Sequence, residues 1–419
     1  MNTIFLEFLE KFELNDIDNT PSGYESTKKN KTTIQTKLIN DLDVTYYINE
    51  FWTSKQRQAN SLHEVSYRAC FKPQLPHFFI KQLTQENDFV YDPFLGRGTT
   101  IIEAALINRQ VIGNDINPLS SILAEPRLLI PDFQKLERYL KNIPFKKGLK
   151  ADIDLSMFYH PDTESEIVSL RNYILNKEKN NDLNEFDKWI RMVATNRLTG
   201  HSKGFFSVYT MPPNQAVLPD RQIKINEKRN QKPEYKNVKE LILKKTKSLI
   251  KNITPLQQKQ LNKIHKTAIF LNKDARETNE ISDNYVQLTV TSPPFLDVVQ
   301  YAKDNWLRGW FNGIDINEVE KKITMSKTID NWTNVMQKVF DELFRITKQG
   351  GYVAFEVGEI KNGKIKLEEF VVPLGIKAGF NLLGVIINEQ NFTKTANIWG
   401  IKNNNKGTNS NRIVLFKKE

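Results

Sequence analysis

The sequence predicts an α/β protein built on a doubly wound, mostly parallel sheet, and three observations lead to this prediction. The apolar segment DFVYDPF (88–94) precedes a glycine-rich turn and the helical pattern TTIIEAALINRQ (99–110). A second apolar segment, VIGNDIN (111–117), follows directly. Beyond residue 266 the same alternation resumes and continues to the end of the chain. Strands that alternate with helices in this way form parallel sheets.

Seven strands are expected in total, the last two with little helix between them. The five later ones lie in TAIFLNKDA (267–275), NYVQLTVTSPP (284–294), GGYVAFEVGEI (350–360), FNLLGVIINEQ (380–390) and RIVLFKK (412–418). A long stretch of helical patches and irregular sequence separates the second strand from the third. We therefore divide the chain into a polar, partly helical extension (1–66), a first part of the sheet domain (67–130), an inserted, mostly helical region (131–265) and a second part of the sheet domain (266–419).

The composition excludes several classes of protein. No apolar run in the 419 residues approaches the ~20 needed to cross a bilayer, and the acidic N-terminus is a poor signal peptide, so we expect a cytoplasmic protein. The single cysteine, Cys70, allows no intrachain disulfide. Because His63, His77 and His201 are scattered without ligand spacing, no metal site is expected.

The positive charge is concentrated in one segment. Residues 221–266 contain 14 basic and three acidic residues, an excess equal to the net charge of +11 of the entire chain. A neutral protein with one strongly basic segment is expected to bind a polyanion there, as DNA-binding proteins do. Lysine-rich helices that only keep a surface soluble have the same composition, so this alternative stays open.

The glycine-rich turn LGRGTT follows the first strand and predicts a ligand site. Gly96 and Gly98 let the backbone turn tightly and approach a ligand, and the next helix offers free N–H groups at its start. The turn is neither a dinucleotide fingerprint nor a phosphate-binding P-loop. Asp92, immediately before it, would repel a pyrophosphate and suits a cation or an amino group instead.

Two further acids follow the second and third strands. Asp115 lies about 20 residues beyond the glycine turn, which is the usual position of a ribose-binding carboxylate. Asp274 ends the third strand. Because the carboxyl ends of neighbouring parallel strands meet at one edge, we expect Asp92, Asp115 and Asp274 to share a crevice.

The fourth strand ends in Ser292-Pro293-Pro294-Phe295. Taken alone, this is a proline turn. When this motif is considered together with the glycine turn, the chain resembles the S-adenosylmethionine-dependent DNA amino-methyltransferases, most closely the cytosine-N4 group. The family pattern D-P-F-x-G-x-G-T-T matches residues 92–100, the pattern S-P-P-[YFW] matches 292–295, and RACFKPQLPHFFI (68–80) is similar to the family segment that covers the cofactor. Many cytosine-N4 enzymes carry the S-P-P motif first, so this chain has the order of a circular permutant.

The resemblance implies a Rossmann-like, seven-stranded mixed sheet that binds S-adenosylmethionine. It also implies a role for each matching residue. The residues expected to bind the cofactor are Phe71, Asp92, Phe94, Gly96, Gly98, Thr99, Asp115 and Asp274. Asp115 would accept from the ribose hydroxyls and Asp274 from the adenine amino group. Ser292 and the Pro293 carbonyl would accept hydrogen bonds from the target amine, on a loop stiffened by Pro294, and Phe295 would stack on a base flipped out of the duplex.

The inserted region is expected to recognise double-stranded DNA at a specific site. Asn214, Gln215 and Arg221 are of the residue types that read base edges. Lys244 and Lys245 belong to a lysine-rich helix expected to follow the phosphates.

The expected function is site-specific methylation of cytosine N4, with a separately encoded restriction endonuclease as the expected partner and no membrane or metal involved. Adenine-N6 methylation is the first alternative, since serine in place of Asp or Asn discriminates imperfectly. A DNA-binding protein that keeps the fold without catalysis is the second. Methylation of carbon 5 is excluded because Cys70 is far from the Ser-Pro-Pro motif.

Overall fold

A computed structural model describes residues 2–13, 31–52, 59–68, 70–212, 216–294, 301–323, 328–360, 365–389 and 410–419. Three predicted site residues, Asn214, Gln215 and Phe295, lie outside these ranges. The strands are β1 (Thr33–Ile39), β2 (Leu42–Asn49), β3 (Phe89–Asp92), β4 (Gln110–Asn114), β5 (Ile269–Leu271), β6 (Val286–Thr291), β7 (Thr347–Val357), β8 (Glu359–Ile360), β9 (Ile365–Lys366), β10 (Asn381–Glu389) and β11 (Ser410–Lys417).

The α-helices fall into three groups along the chain. Before the inserted region lie α1 (Asn2–Glu10), α2 (Gln74–Leu83), α3 (Thr99–Leu106) and α4 (Leu119–Ala124). Within it lie α5 (Phe133–Asn142), α6 (Pro161–Lys179), α7 (Glu185–Arg197), α8 (Pro219–Arg229), α9 (Val238–Ile250) and α10 (Pro255–His265). After it follow α11 (Tyr301–Asn312), α12 (Ile316–Lys322), α13 (Ile329–Ile346) and α14 (Glu368–Ala378).

The main sheet has the strand order β1-β2-β10-β11-β7-β6-β3-β4-β5. Strands β7, β6, β3, β4 and β5 are parallel neighbours, and β11 runs antiparallel between β7 and β10. The chain order reverses direction between β3 and β6, which are adjacent in the sheet. This is a topological switch point, and open α/β sheets bind their ligands in the crevice beyond the strands there.

The predicted fold class is confirmed, and all seven predicted strands are present. The sheet nevertheless has nine strands in the described ranges, because the hairpin β1–β2 extends it through parallel pairing of β2 with β10. This hairpin could not be predicted from the sequence, for a physical reason. Strand β1 is exposed along most of its length, so it lacks the apolar alternation that marks a half-buried strand.

The residues predicted as an insertion carry helices α5 to α10 between β4 and β5. These helices share one apolar core with the sheet, in which Ile101 of α3 and Trp189 of α7 are both fully buried. The Trp189 indole also donates to the Thr246 hydroxyl at 3.0 Å and ties α7 to α9. A second core cluster contains residues of α13 and α14 and covers the other face. Within the described ranges, none of the helices is both long and apolar enough for a membrane span.

Candidate functional site

A cleft lies where strands β3, β4, β5 and β6 end. Its empty space is about 1170 Å³, including open solvent at the mouth. Ten of the residues predicted from the sequence line it together: Phe71, Asp92, Phe94, Gly96, Thr99, Asp115, Asp274, Ser292, Pro293 and Pro294. Residues up to 223 positions apart in the chain (Phe71 and Pro294) thus face one space, which is the crevice expected at the switch point of such a sheet.

The buried side chain of Asn114 fixes three of these strand ends relative to one another. Its amide donates to the carbonyls of Pro93 after β3, at 3.3 Å, and of Lys273 after β5, at 3.1 Å. Its side-chain oxygen accepts the Lys273 N–H at 3.0 Å. A buried amide with all these groups paired rigidifies its surroundings, so Asn114 sets the geometry on which the acids depend.

The Asp115 carboxylate supports the glycine turn from inside. It accepts the Gly96 N–H at 2.8 Å, the Ser120 hydroxyl at 2.8 Å and the Asn117 N–H at 2.9 Å. Burial raises the pKa of Asp115, and these three donors oppose the rise. A carboxylate has about four acceptor positions, so Asp115 can still accept from a ligand hydroxyl.

Gly98 does not line the cleft but closes the turn beneath it. Its φ of +77° is left-handed. A Cβ at this position would lie 2.6 Å from the Cβ of Ala124 and 3.3 Å from Nη2 of Arg127. Arg127, fully buried, donates to the carbonyls of Leu62, Leu123 and Arg97. The turn therefore needs glycine here both for its backbone angle and for space.

We expect Gly98→Ala to destabilise the protein by about 2–4 kcal/mol, the sum of the left-handed backbone cost and overpacking. Gly148→Ala is the matched control, since Gly148 has φ +78° but nothing within 4 Å of its added Cβ. The control should lose only about 1–2 kcal/mol. Urea unfolding measures both variants, and equal losses would contradict the tight packing assigned to Gly98.

Asp92 joins the glycine turn to the Ser-Pro-Pro strand. Its carboxylate accepts the Thr291 hydroxyl at 2.7 Å and the Phe94 N–H at 3.1 Å. Nearby, the Thr100 hydroxyl donates to the Val290 carbonyl at 3.0 Å. Burial raises the pKa of Asp92 to about 7, against the effect of its hydrogen-bond donors and with a further rise from the negative charge of Asp115.

Asp274 differs from Asp92 because its charge is already paired. The Arg276 guanidinium donates to it at 2.8 Å, and the Arg276 N–H at 3.0 Å. Burial opposes ionisation, but the Arg276 hydrogen bonds prevail and lower the pKa of Asp274. Asp274 therefore offers an acceptor that is ionised near neutral pH at the third strand end, with part of its capacity already used by Arg276.

The Ser-Pro-Pro loop is held by contacts that the sequence analysis did not identify. The Trp332 indole donates to the Pro294 carbonyl at 3.1 Å. The Ser292 hydroxyl donates to the buried carboxylate of Glu356, which also accepts the Asn411 amide at 2.5 Å. Burial raises the pKa of Glu356 to about 7, and these two donors oppose the rise.

The position of Glu356 in the sheet is the signal that could have revealed it. Thr291 pairs with Phe355 across β6 and β7, so the next residue on each strand, Ser292 and Glu356, are neighbours. The sequence alone places Glu356 in the fifth predicted strand, GGYVAFEVGEI, and gives it no role in the site. The pairing register decides which acid meets the serine, and only the structure supplies that register.

The predicted DNA-contacting residues that the structure describes lie on two helices of the inserted region. Arg221 on α8 and Lys244 on α9 are exposed. Lys245 is buried, and its ammonium is bonded to Glu64 at 3.1 Å. We leave Lys245 out of any DNA contact because a side chain committed in this way cannot also reach a phosphate.

The acids and aromatic rings that line the cleft fit S-adenosylmethionine. Asp92 is a carboxylate whose pKa is raised by burial and, to a smaller extent, by the neighbouring Asp115, so the positive charge of a ligand ammonium would stabilise its ionised form. Asp115 and Asp274 suit hydroxyl and amino donors, and the rings of Phe71 and Phe94 provide apolar walls. Within the described part of the chain, no cluster of His, Cys, Asp and Glu is arranged to hold a metal ion.

Comparison with known proteins gives a family and several relatives. Residues 7–122 match a family model described as DNA methylase. The type II methyltransferase M.BsoBI of Geobacillus stearothermophilus is 25% identical over 73% of this chain and 64% of its own length. The type II methyltransferase M.MvaI of Kocuria varians is 24% identical over 72% of this chain and 65% of its own. The type II methyltransferase M.MjaII of Methanocaldococcus jannaschii is 33% identical over 24% of this chain and 20% of its own. The matched part thus spans less than two thirds of each relative.

Proposed function

We propose, from the relation of this chain to the N6- and N4-directed DNA methylases, that it transfers a methyl group from S-adenosylmethionine to the N4 amine of a cytosine in DNA. The observation that carries the proposal is the hydrogen bond between Thr291 and Asp92. It joins the proposed donor side of the cleft directly to the residue before Ser292. Donor and acceptor groups would therefore meet at one fixed place.

On the donor side, each of the three acids would bind a different part of the cofactor. Asp92 would pair with the ammonium of its methionine part, Asp115 would accept from a ribose hydroxyl, and Asp274 would accept from the adenine amine. Gly96 and Thr99 line the same space without a large side chain. When bound, S-adenosylmethionine supplies an electrophilic methyl group on a sulfonium. The protein needs only to hold that methyl in line with the incoming nitrogen.

On the acceptor side, the target amine is a weak nucleophile because its lone pair is delocalised into the ring. Acceptors placed at its two N–H groups favour the tetrahedral nitrogen that attacks the methyl. We assign these acceptors to the Ser292 oxygen and the Pro293 carbonyl, with Phe295 as the proposed stacking partner of the flipped base. Preorganised dipoles of this kind need little rearrangement at the transition state.

Glu356 gives the serine its direction. Because the Ser292 hydroxyl donates its proton to Glu356, the serine oxygen turns its lone pairs toward the cleft and acts as an acceptor. Glu356 is a positioning residue, since it acts on the substrate through Ser292. When ionised, the Glu356 carboxylate only accepts hydrogen bonds and accepts those of Ser292 and Asn411 more strongly, so the methylation rate should depend on its titration.

Methylation at saturating donor should accelerate as pH rises through about 7, where Glu356 ionises. In Glu356→Gln the rate should be about 10-fold or more lower, as expected for loss of a hydrogen bond to a charged group, and should no longer rise over this range. The measurement is the single-turnover rate between pH 5.5 and 8.5. The pKa of Asp92 is also about 7. Because the donor is saturating, the titration of Asp92 does not change the measured rate through donor binding.

A Glu356→Gln protein that keeps the wild-type rate and pH profile would contradict this role. Stability provides the control. The pKa of Glu356 is raised in the folded protein, so its contribution to stability is greatest at low pH and is lost as pH rises through about 7. The amide does not ionise, so a variant that folds should gain stability relative to the wild type as pH rises through about 7.

The serine at position 292 favours cytosine N4, and adenine N6 remains the alternative within the same family. Arg221 and Lys244 are the proposed contacts to double-stranded DNA, together with Asn214 and Gln215. A separately encoded restriction endonuclease would be the functional partner. The test is to incubate purified protein with plasmid DNA and S-adenosylmethionine labelled in its methyl group. Label in the DNA supports the proposal, and cofactor binding without any transfer to DNA would favour the non-catalytic alternative.

A further inference from the structure

The basic segment at residues 221–266 is not one uniform surface. In α9, cations are bonded within the molecule. Lys239 donates to the carbonyls of Lys141 and Ile143 at 2.9 and 2.7 Å. Lys245 pairs with Glu64 at 3.1 Å, and Lys247 lies over the ring of Phe133. Three of the four lysines of α9 thus make contacts within the protein, which makes this helix a poorer candidate for a phosphate-binding surface.

Helix α8 is arranged differently. Arg221, Lys224 and Lys228 are exposed and lie at i, i+3 and i+7, which places them on one face of the helix. Among the side chains that the structure describes, no carboxylate pairs with any of the three, although Asp220 and Glu227 belong to the same helix. Three unpaired cations on one face form a surface suited to a row of phosphates.

The opposite side of α8 is anchored by amides. Gln222 donates to the Tyr209 carbonyl at 3.0 Å and to Asn226 at 2.7 Å. Asn226 in turn donates to the Met157 carbonyl at 2.8 Å. The NH2 groups of the buried Gln222 and the half-buried Asn226 are thus bonded to the body of the protein, and such side-chain hydrogen bonds help to hold the helix in one rotational setting. Because the opposite side of α8 is bonded to the protein, the basic face points toward solvent.

A chain of contacts connects the start of α8 to a residue that lines the cleft. Ala216, three residues before the helix, donates its N–H to the Asp304 carbonyl at 3.4 Å, and the Trp306 indole donates to the Val217 carbonyl at 3.2 Å. The Asp304 carboxylate pairs with Arg68 at 2.6 Å, and Arg68 lines the cleft. A polyanion that delivers a base into the cleft would thus pass beside the first turn of α8.

We propose that Arg221, Lys224 and Lys228 of α8 form the surface that binds the phosphate backbone of double-stranded DNA next to the target base. This inference rests on the proposed function and makes it specific to one helix. Contacts of this kind are electrostatic and independent of sequence, and each releases counterions from the DNA. They hold the duplex in register while other residues select the site.

The test compares two triple variants by the salt dependence of duplex binding. Arg221→Gln, Lys224→Gln and Lys228→Gln together should reduce the slope of log K against log[salt] by about 2 to 3, from ~0.9 per phosphate contact. The control carries Lys259→Gln, Lys263→Gln and Lys266→Gln. These exposed lysines adjoin Asn108, close to the amino end of β4 and so at the opposite end of the strands from the cleft. The control should keep the wild-type slope.

The outcomes separate this inference from the function on which it rests. S-adenosylmethionine affinity should be the same in all three proteins, which shows that each is folded. Suppose that the wild type methylates DNA. If both triple variants keep the wild-type salt slope, or if both lose the same amount of slope, the α8 assignment is overturned and the proposed function stands. If the wild type neither binds nor methylates duplex DNA, both fail. Loss of binding to an RNA duplex alone, with DNA binding unchanged, would also overturn the assignment.

Discussion

Ser292→Ala should slow methyl transfer by about 10²–10³-fold, the range found when one preorganised hydrogen-bonding group is removed from an active site. The side chain lines the cleft and is the acceptor that we assign to the target amine. Alanine leaves the loop stiff, because Pro293, Pro294 and the Trp332 hydrogen bond are unchanged. The measurement is the single-turnover rate with labelled donor and duplex DNA.

Two controls accompany this prediction. Donor affinity should stay within about threefold of the wild type, since a loss below ~0.7 kcal/mol is what a residue on the other side of the cleft can cause. Ser292→Thr keeps the hydroxyl and should recover part of the rate. A Ser292→Ala protein as fast as the wild type would remove Ser292 from the chemistry.

Asp92→Asn should weaken S-adenosylmethionine binding by about 10- to 100-fold, as expected for loss of a hydrogen bond to a charged group. The wild-type affinity should also increase as pH rises through about 7, because the buried Asp92 carboxylate ionises there. The amide does not titrate, so the variant should show no such increase. Titration calorimetry between pH 6 and 8 measures both effects.

Asp274→Asn is the matched control for Asp92. It lines the same cleft, but its charge is paired with Arg276 and its pKa is lowered. We expect a smaller loss of affinity and no change in its pH dependence over this range. The pKa of Asp92 is raised in the folded protein, so its stabilising contribution is lost as pH rises through about 7. Near pH 8 the Asp92→Asn variant is therefore expected to stay folded. Equal behaviour of the two variants would contradict the special role of Asp92.

The sheet was predictable because its strands are short and apolar and alternate with helices. All seven predicted strands exist, and the turn at Gly96 and Gly98 lies where the sequence places it. The β1–β2 hairpin was not predictable in the same way, since β1 is exposed along most of its length and has no buried face to impose a regular apolar alternation. It joins the sheet through a parallel pairing between β2 and β10, residues more than 300 positions apart. A contact of that range leaves no local pattern.

The acids of the site were predictable for a related reason. Asp92, Asp115 and Asp274 follow consecutive strands, and strand ends in a parallel sheet meet at one edge. The function of Glu356 depends instead on the register between β6 and β7. The difference between Lys244, exposed, and Lys245, paired with Glu64, depends on which face of α9 packs inward. Composition reports the charge of a segment, whereas packing decides which of its cations remain available.

The most direct test of the central claim is mass spectrometry of nucleosides from duplex DNA incubated with the protein and S-adenosylmethionine. DNA incubated with the Ser292→Ala protein serves as the blank. We predict N4-methyldeoxycytidine in the wild-type sample and little or none in the blank. N6-methyldeoxyadenosine as the product would contradict the cytosine assignment made from Ser292. Absence of any methylated nucleoside, from a protein that binds both S-adenosylmethionine and DNA, would contradict catalysis at this cleft.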